Sequence, residues 1–381
     1  MANGSAVTSP QSNNFDLIRL AAALQVAYIH GTGAFGAASG IRYLTSLVSL
    51  FPGVPVFFFI SGFLISKSFE TNPDWRDYAR NRCLRIYPAL VVCFIVSLGA
   101  IWLGGFFTGR DIPPAKFIVW TIAQLTFGQF YNASFMAHAP IWSLNPSLWT
   151  ITVELQFYVL VPVIYSVLGL ARAPRWRSNC MLGAAIALGL LLSEVWTAKN
   201  LGIGGGHRWP RISYQLFVPW LYMFLVGIIA QRNCDVLRYW FAGRFIYIVA
   251  TYGVLATLTS RFLNWGLGDF IQPLLFLGLV LVTFSAAFTV PTLSERLLRK
   301  NDVSYGLYIY HRPVMNILLL TGLLAGFAAM SFSLILSIAL AYASWSLIEK
   351  PALALKRRPL YPHRAVAFKE SGGEPVRPVS S

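Results

Sequence analysis

Charge is what this sequence has least of. Asp, Glu, Lys and Arg make up 12% of its 381 residues, where soluble domains carry about 25%. With 56% hydrophobic residues and a mean hydropathy of +0.60, that scarcity excludes a soluble globular chain and reads as an integral membrane protein. Acids are scarcer still, 14 against 30 Lys and Arg, for a net charge of +16. In a soluble chain the surplus would suggest nucleic acid. Here the basic residues fall mostly in short loops between apolar runs and in the C-terminal tail, as the positive-inside rule produces, so no nucleic-acid partner is expected. Cysteine is sparse too. Cys83 and Cys234 fall in expected cytoplasmic loops, Cys93 within a span and Cys180 at an inner boundary, so no structural disulfide is expected. Nor is a secretory leader: the first basic residue is Arg19, and no small-residue cleavage site follows the first apolar run.

Long apolar runs are what the chain does have. They place spans at about 17–35, 46–66, 87–107, 149–170, 181–198, 212–231, 240–260, 270–291, 303–323 and 328–348, each near the ~20 residues that cross the hydrocarbon core. A further run, 117–136, is ambiguous until the loops are read. Stretch 67–85 holds Lys67, Arg76, Arg80, Arg82 and Arg85, and stretch 171–179 holds Arg172, Arg175 and Arg177. With both cytoplasmic, an even number of crossings separates them, and 87–107 and 149–170 already supply two. Run 117–136 is therefore expected to be re-entrant or peripheral. The fold expected is all-α: a polytopic membrane protein of about ten transmembrane helices plus that segment, both termini cytoplasmic. Residues 1–16 form a short cytoplasmic N-terminus, 17–350 the membrane domain, and 351–381 a basic, then Pro-, Ser- and Gly-rich tail expected to be disordered.

The ionisable residues inside these runs are the informative ones, because hydrocarbon penalises them. In "FDLIRLAAALQVAYIHG", Arg19 and His30 are eleven residues apart, three helical turns plus roughly 20°, or about 16 Å along one face. Asp16 falls within roughly 40° of the same face. The stripe reads as a bundle-facing polar seam. His30 either bonds a neighbouring helix or serves as a base near neutral pH. In "LWTITVELQFY", Thr150 and Tyr158 flank Glu154 at i−4 and i+4. Glu154 needs a partner at that depth: His30, whose tautomer a carboxylate would fix, or an Arg in a structural ion pair. In "YARNRCLRIYP", Arg80, Arg82 and Arg85 serve topology and lipid head groups, or grip phosphate. In "SYGLYIYHRP", Ser304, Tyr308 and His311 share a stripe, and His311 is expected closer to the cytoplasm than His30. It serves packing or the site. No metal site is expected. The outer loop Lys199 to Arg211 breaks the charge bias, and its Trp209 is either in a solvated turn or an acceptor contact.

Stretches of the chain, in this order, resemble the acyltransferase-3 family of membrane O-acyltransferases: "FDLIRLAAALQVAYIH", "FPGVPVFFFISGFLIS", "RNRCLRIYP" with Arg82 and Arg85, "LWTITVELQFYVLVP", and the closing "SYGLYIYHRPV" and "SLIEKPAL". The likeness spans about residues 14–352. Thr150 stands where the family usually has Ser, which keeps the hydroxyl, and no fused SGNH hydrolase-like domain is present. The resemblance implies a multi-pass protein of the bacterial cytoplasmic membrane. It implies transfer of an acyl group, most often acetyl, from cytoplasmic acyl-CoA to a hydroxyl of a carbohydrate or glycoconjugate. On that reading His30 is the base and Glu154 its support, with Asp16 and Arg19 along the donor's path or paired together. Arg82 and Arg85 would hold the coenzyme's phosphates, and Thr150, Tyr158, His311 and Trp209 would meet substrate. The acceptor and oligomeric state are not readable. The rival class is a transporter or flippase of a glycan or lipid-linked precursor, since intramembrane charges also line translocation paths.

Overall fold

A computed structural model describes residues 12–36, 41–129, 131–136, 140–201, 215–263 and 265–357. Ten helices correspond to the ten apolar runs: α1 (Phe15–Phe35), α3 (Gly53–Thr71), α4 (Trp75–Leu103), α6 (Trp149–Val167), α7 (Arg175–Leu201), α8 (Leu221–Arg232), α10 (Phe245–Phe262), α11 (Pro273–Thr289), α13 (Ser304–Thr321) and α14 (Gly326–Ser344). Shorter helices α2 (Arg42–Ser49), α5 (Pro114–Gln124), α9 (Cys234–Phe241), α12 (Leu293–Leu298) and α15 (Lys350–Ala354) lie between or after them. No strand occurs among the described residues.

Boundaries shift where the local chemistry demands. Pro52 breaks the second run, so α2 ends at Ser49 and the main helix starts at Gly53. The basic stretch before the third run is itself helical, because Asp74 caps Trp75 onward by accepting from the Arg76 and Asp77 amides at 2.8 and 3.0 Å. The ambiguous run overlaps α5, an α-helix of 11 residues that starts at Pro114 and ends at Gln124, about 17 Å of helix against ~30 Å of hydrocarbon. It is too short to cross.

The helices alternate in direction. At one end Arg19 of α1, Arg85 of α4 and Asp302 before α13 meet, and Glu70 of α3 pairs with Arg232 of α8. At the other end the Gln25 side chain takes the Gly53 amide at 2.9 Å, and Tyr252 of α10 donates to the Leu50 carbonyl at 2.6 Å. The first end is the one that the charge bias assigns to the cytoplasm. Asn14 secures α1 there, donating to the Ala286 and Val290 carbonyls and accepting from the Ser294 amide.

Small residues set the tightest packing. Where α3 crosses α8, a Cβ on Gly62 would overlap the Phe224 carbonyl, and one on Gly227 would overlap that of Phe59. Backbones that close are the usual route to helix association in lipid, where apolar surface gains nothing by turning inward.

Candidate active site

The basic end is built on a buried ion cluster. Asp302 Oδ2 takes Arg19 Nη1 at 3.0 Å and also Arg85, while Asp302 Oδ1 accepts the Ser304 amide and hydroxyl at 3.2 and 2.5 Å. Burial alone would raise the Asp302 carboxyl, but the Arg85 and Arg19 guanidinium groups outweigh it and hold the acid well below the usual carboxylate range. Arg85 reaches a second acid, Glu349, at 3.8 Å, in the π turn Trp345–Glu349. Arg85 thus faces two carboxylates of its own chain, not open space for a phosphate. Arg19 pairs with Asp302 and not with Asp16, which is exposed at the start of α1.

Arg82 is less committed. Its Nη2 donates to Ser68 Oγ at 3.1 Å, its guanidinium covers the Tyr78 and Tyr158 rings at 5.7 and 5.5 Å, and its buried Nε has no partner. Beside it stands Lys356, in the 3₁₀ turn after α15, where Arg80 Nη2 donates to the Leu355 carbonyl at 3.0 Å. Burial, then the cations Arg82, Arg85 and Arg19, bring the Lys356 ammonium down to about 7. Arg82 and Lys356 thus stand together at this end, while Arg19 and Arg85 are matched by Asp302 and Glu349. No periodicity announces Lys356, which the sequence reading assigned to the tail.

Deeper lies a narrow cavity lined by Arg19, Ser61, Thr150, Glu154, Tyr305 and Tyr308. Glu154 Oε1 accepts from Ser61 at 3.2 Å and from Tyr158 at 2.7 Å. Neither His30 nor an Arg is its hydrogen-bond partner among the described residues, so the expected His30–Glu154 pair does not form. Thr150 Oγ1 meets the Tyr308 hydroxyl at 2.7 Å. Trp209 lies outside the described residues.

His30 pairs instead with His311. Its Nδ1 is 2.9 Å from His311 Nε2, and the rings stack at 5.2 Å with 16° between planes. The expected offset in depth is absent because Asp302 ties the α13 entry to the level of Arg19. His311 is nine residues past Asp302 and His30 is eleven past Arg19, so both rings reach one level. The hydrogen bonds then assign the tautomers. His311 Nδ1 is 2.7 Å from the Tyr308 carbonyl, which only accepts, so Nδ1 carries the proton. The neutral ring leaves Nε2 as acceptor, for the Ser147 hydroxyl at 3.2 Å and for the His30 Nδ1–H. His30 Nε2 is left bare, as a base must be.

A helix break holds this arrangement. Pro313 has no N–H to return to Ile309 four residues earlier. The freed Ile309 carbonyl accepts Asn145 Nδ2 at 2.7 Å and Cys93 Sγ at 3.3 Å. Asn145 in turn starts the 3₁₀ turn Pro146–Leu148 that carries Ser147 to His311.

Comparison with known proteins decides the family. The acyltransferase-3 profile, an acyltransferase domain, matches residues 12–347. The chain belongs to the acyltransferase-3 family. This acyltransferase-3 chain is 30% identical over 374 residues to "Nodulation protein 10" of Rhizobium leguminosarum bv. viciae, covering 92% of the chain and 95% of that relative. It is 27% identical over 344 residues to an "O-acetyl transferase" of Shigella phage Sf6, covering 89% and 96%. No solved structure matches. The chain is an O-acetyltransferase-like membrane enzyme. Among its described residues no group of three His, Cys, Asp or Glu is placed to hold a metal ion, and the four cysteines are free thiols.

Proposed function

We propose that this enzyme transfers an acyl group, acetyl by the name of the phage relative, from cytoplasmic acyl-CoA to a carbohydrate hydroxyl. The observation that supports the mechanism is the contact of His30 Nδ1 with His311 Nε2, which on the tautomers assigned above leaves His30 Nε2 as the base. Arg82 and Lys356 receive the coenzyme's phosphates at the basic end. The thioester then extends along α1 toward His30, about 16 Å deeper, a separation suited to the long pantetheine arm. The acceptor enters from the opposite end. His30 Nε2 takes the hydroxyl proton as the oxygen attacks the thioester carbon. The C–S bond breaks, and the imidazolium returns the proton to the departing thiolate. Glu154 holds Ser61 and Tyr158 along the cavity wall.

The test is transfer of label from radiolabelled acetyl-CoA to a saccharide panel by purified protein in lipid nanodiscs. General-base help is worth about 10²–10⁴-fold, so His30→Ala is expected to lose at least two orders of magnitude in kcat. Full activity in that variant refutes the base, and acceptor transport without acyl transfer by wild type favours the transporter reading.

A further inference from the structure

Arg312 lies within α13 and has no part in the site described above, and its surroundings differ from those of Arg19 and Arg85. Those two face carboxylates. Among the described residues no ion pair or hydrogen bond involves the Arg312 side chain, and its buried Nε has no acceptor. An uncompensated guanidinium inside a span is expensive. Such a group is placed to meet a negative charge that comes from outside the chain.

Its place on α13 says where that charge would be. Arg312 follows Tyr308 by four residues and precedes Asn316 by four, so the three share a helix face. Tyr308 bonds Thr150 and the Ser147 carbonyl, and Asn316 bonds the Ser143 and Leu144 carbonyls at 3.0 and 2.9 Å. That face therefore looks onto the 143–150 segment beside the histidine pair. Arg312 is also the chain neighbour of His311, whose Nε2 is 2.9 Å from His30 Nδ1. The reacting thioester is neutral before attack. Its carbonyl oxygen becomes negative only when the acceptor oxygen has bonded to carbon, one step from the base.

We infer that Arg312 supplies the oxyanion site of the transfer, its N–H groups donating to the thioester oxygen as the tetrahedral intermediate forms. This rests on the acyl-CoA reading above. The electron pair that moves onto that oxygen during attack returns to carbon as the C–S bond breaks. The proton taken by His30 leaves with the thiol, so Arg312 gains and loses none. A guanidinium suits the task because it stays charged in a dry site and offers its donors in a fixed plane.

The experiment compares wild type with Arg312→Gln and Arg312→Lys in nanodiscs. One assay follows thiol release from acetyl-CoA with water as the only acceptor. The other follows transfer to an uncharged oligosaccharide and to a uronic-acid oligosaccharide. The oxyanion forms in every one of these reactions. Arg312→Gln is therefore expected to lose about 10²–10³-fold in kcat for water and both sugars alike, with both KM values nearly unchanged. Arg312→Lys keeps the charge without the plane and is expected to fall between. Hydrolysis at the wild-type rate, with a raised KM for the uronic acid alone, overturns the inference and makes Arg312 an acceptor-binding residue. Lost activity that tracks a lowered thermal midpoint in both variants overturns it in favour of a structural role. Either result leaves the His30 test standing, because His30→Ala is judged on its own transfer rate.

Discussion

Removing the His311 ring tests the site most directly. His311→Ala takes away the acceptor of two donors, His30 Nδ1–H and the Ser147 hydroxyl, from a side chain with no exposed surface. Each orphaned donor costs about 1–3 kcal/mol, so the thermal midpoint in detergent is expected to drop. The rate effect is separate. Without Nε2 opposite it, the His30 ring can rotate and exchange tautomers. A loss of positioning of that kind is worth about 10²-fold, or ~2.7 kcal/mol of barrier. Initial rates of thiol release at saturating acetyl-CoA, taken well below each variant's midpoint, measure it. His311→Gln presents an oxygen that accepts from His30 and is expected to recover part of the loss. Because the two rings act as one unit, the double variant with His30→Ala is expected to be about as slow as His30→Ala alone. A folded His311→Ala enzyme within about threefold of the wild-type kcat refutes the reasoning, since a positioning group cannot be that dispensable.

Two further outcomes follow from the packing and the basic end. Gly227→Ala is expected to lower the thermal midpoint by the equivalent of about 3 kcal/mol or more, because its Cβ meets the backbone of α3; Gly253→Ala, with nothing near its added Cβ, is the control, and equal midpoints refute the close crossing. Lys356 sits near pH 7, so its ammonium is present below that pH and is lost above it. The donor KM is expected to rise from about pH 6 to pH 8.5 in wild type, to stay low in Lys356→Arg, and to stay high in Lys356→Gln, as read from initial rates against acetyl-CoA concentration. A wild-type KM unchanged across that range refutes the assignment of Lys356 to phosphate.

What was legible in the sequence was whatever one helix fixes by itself. Spacing placed Arg19 and His30 on a common face, and the charge of the flanking loops set run 117–136 apart from the other apolar runs. What spacing does not give is the opposite wall. Spacing pointed to Glu154 as the partner of His30 and set His311 nearer the cytoplasm, until the contact between α1 and α13 brought the two histidines to one depth. That depth depends on Asp302, a residue in the five-residue link between α12 and α13, which carries no periodic signal. Lys356 was missed for the same reason, since its role arises only because the chain turns back against α4.

The break at Pro313 bears on how this region tolerates change. The group that holds Asn145 is the main-chain oxygen of Ile309, which every amino acid carries. Apolar replacements at position 309 that fit the packing leave that anchor intact. The sensitive position is 313, whose side chain has no hydrogen-bonding group. Any residue there that restores an N–H offers the Ile309 oxygen a competing donor from within the helix. A random mutant library would then show the silent partner at 309 and the intolerant one a turn away, the reverse of what side-chain contacts alone suggest.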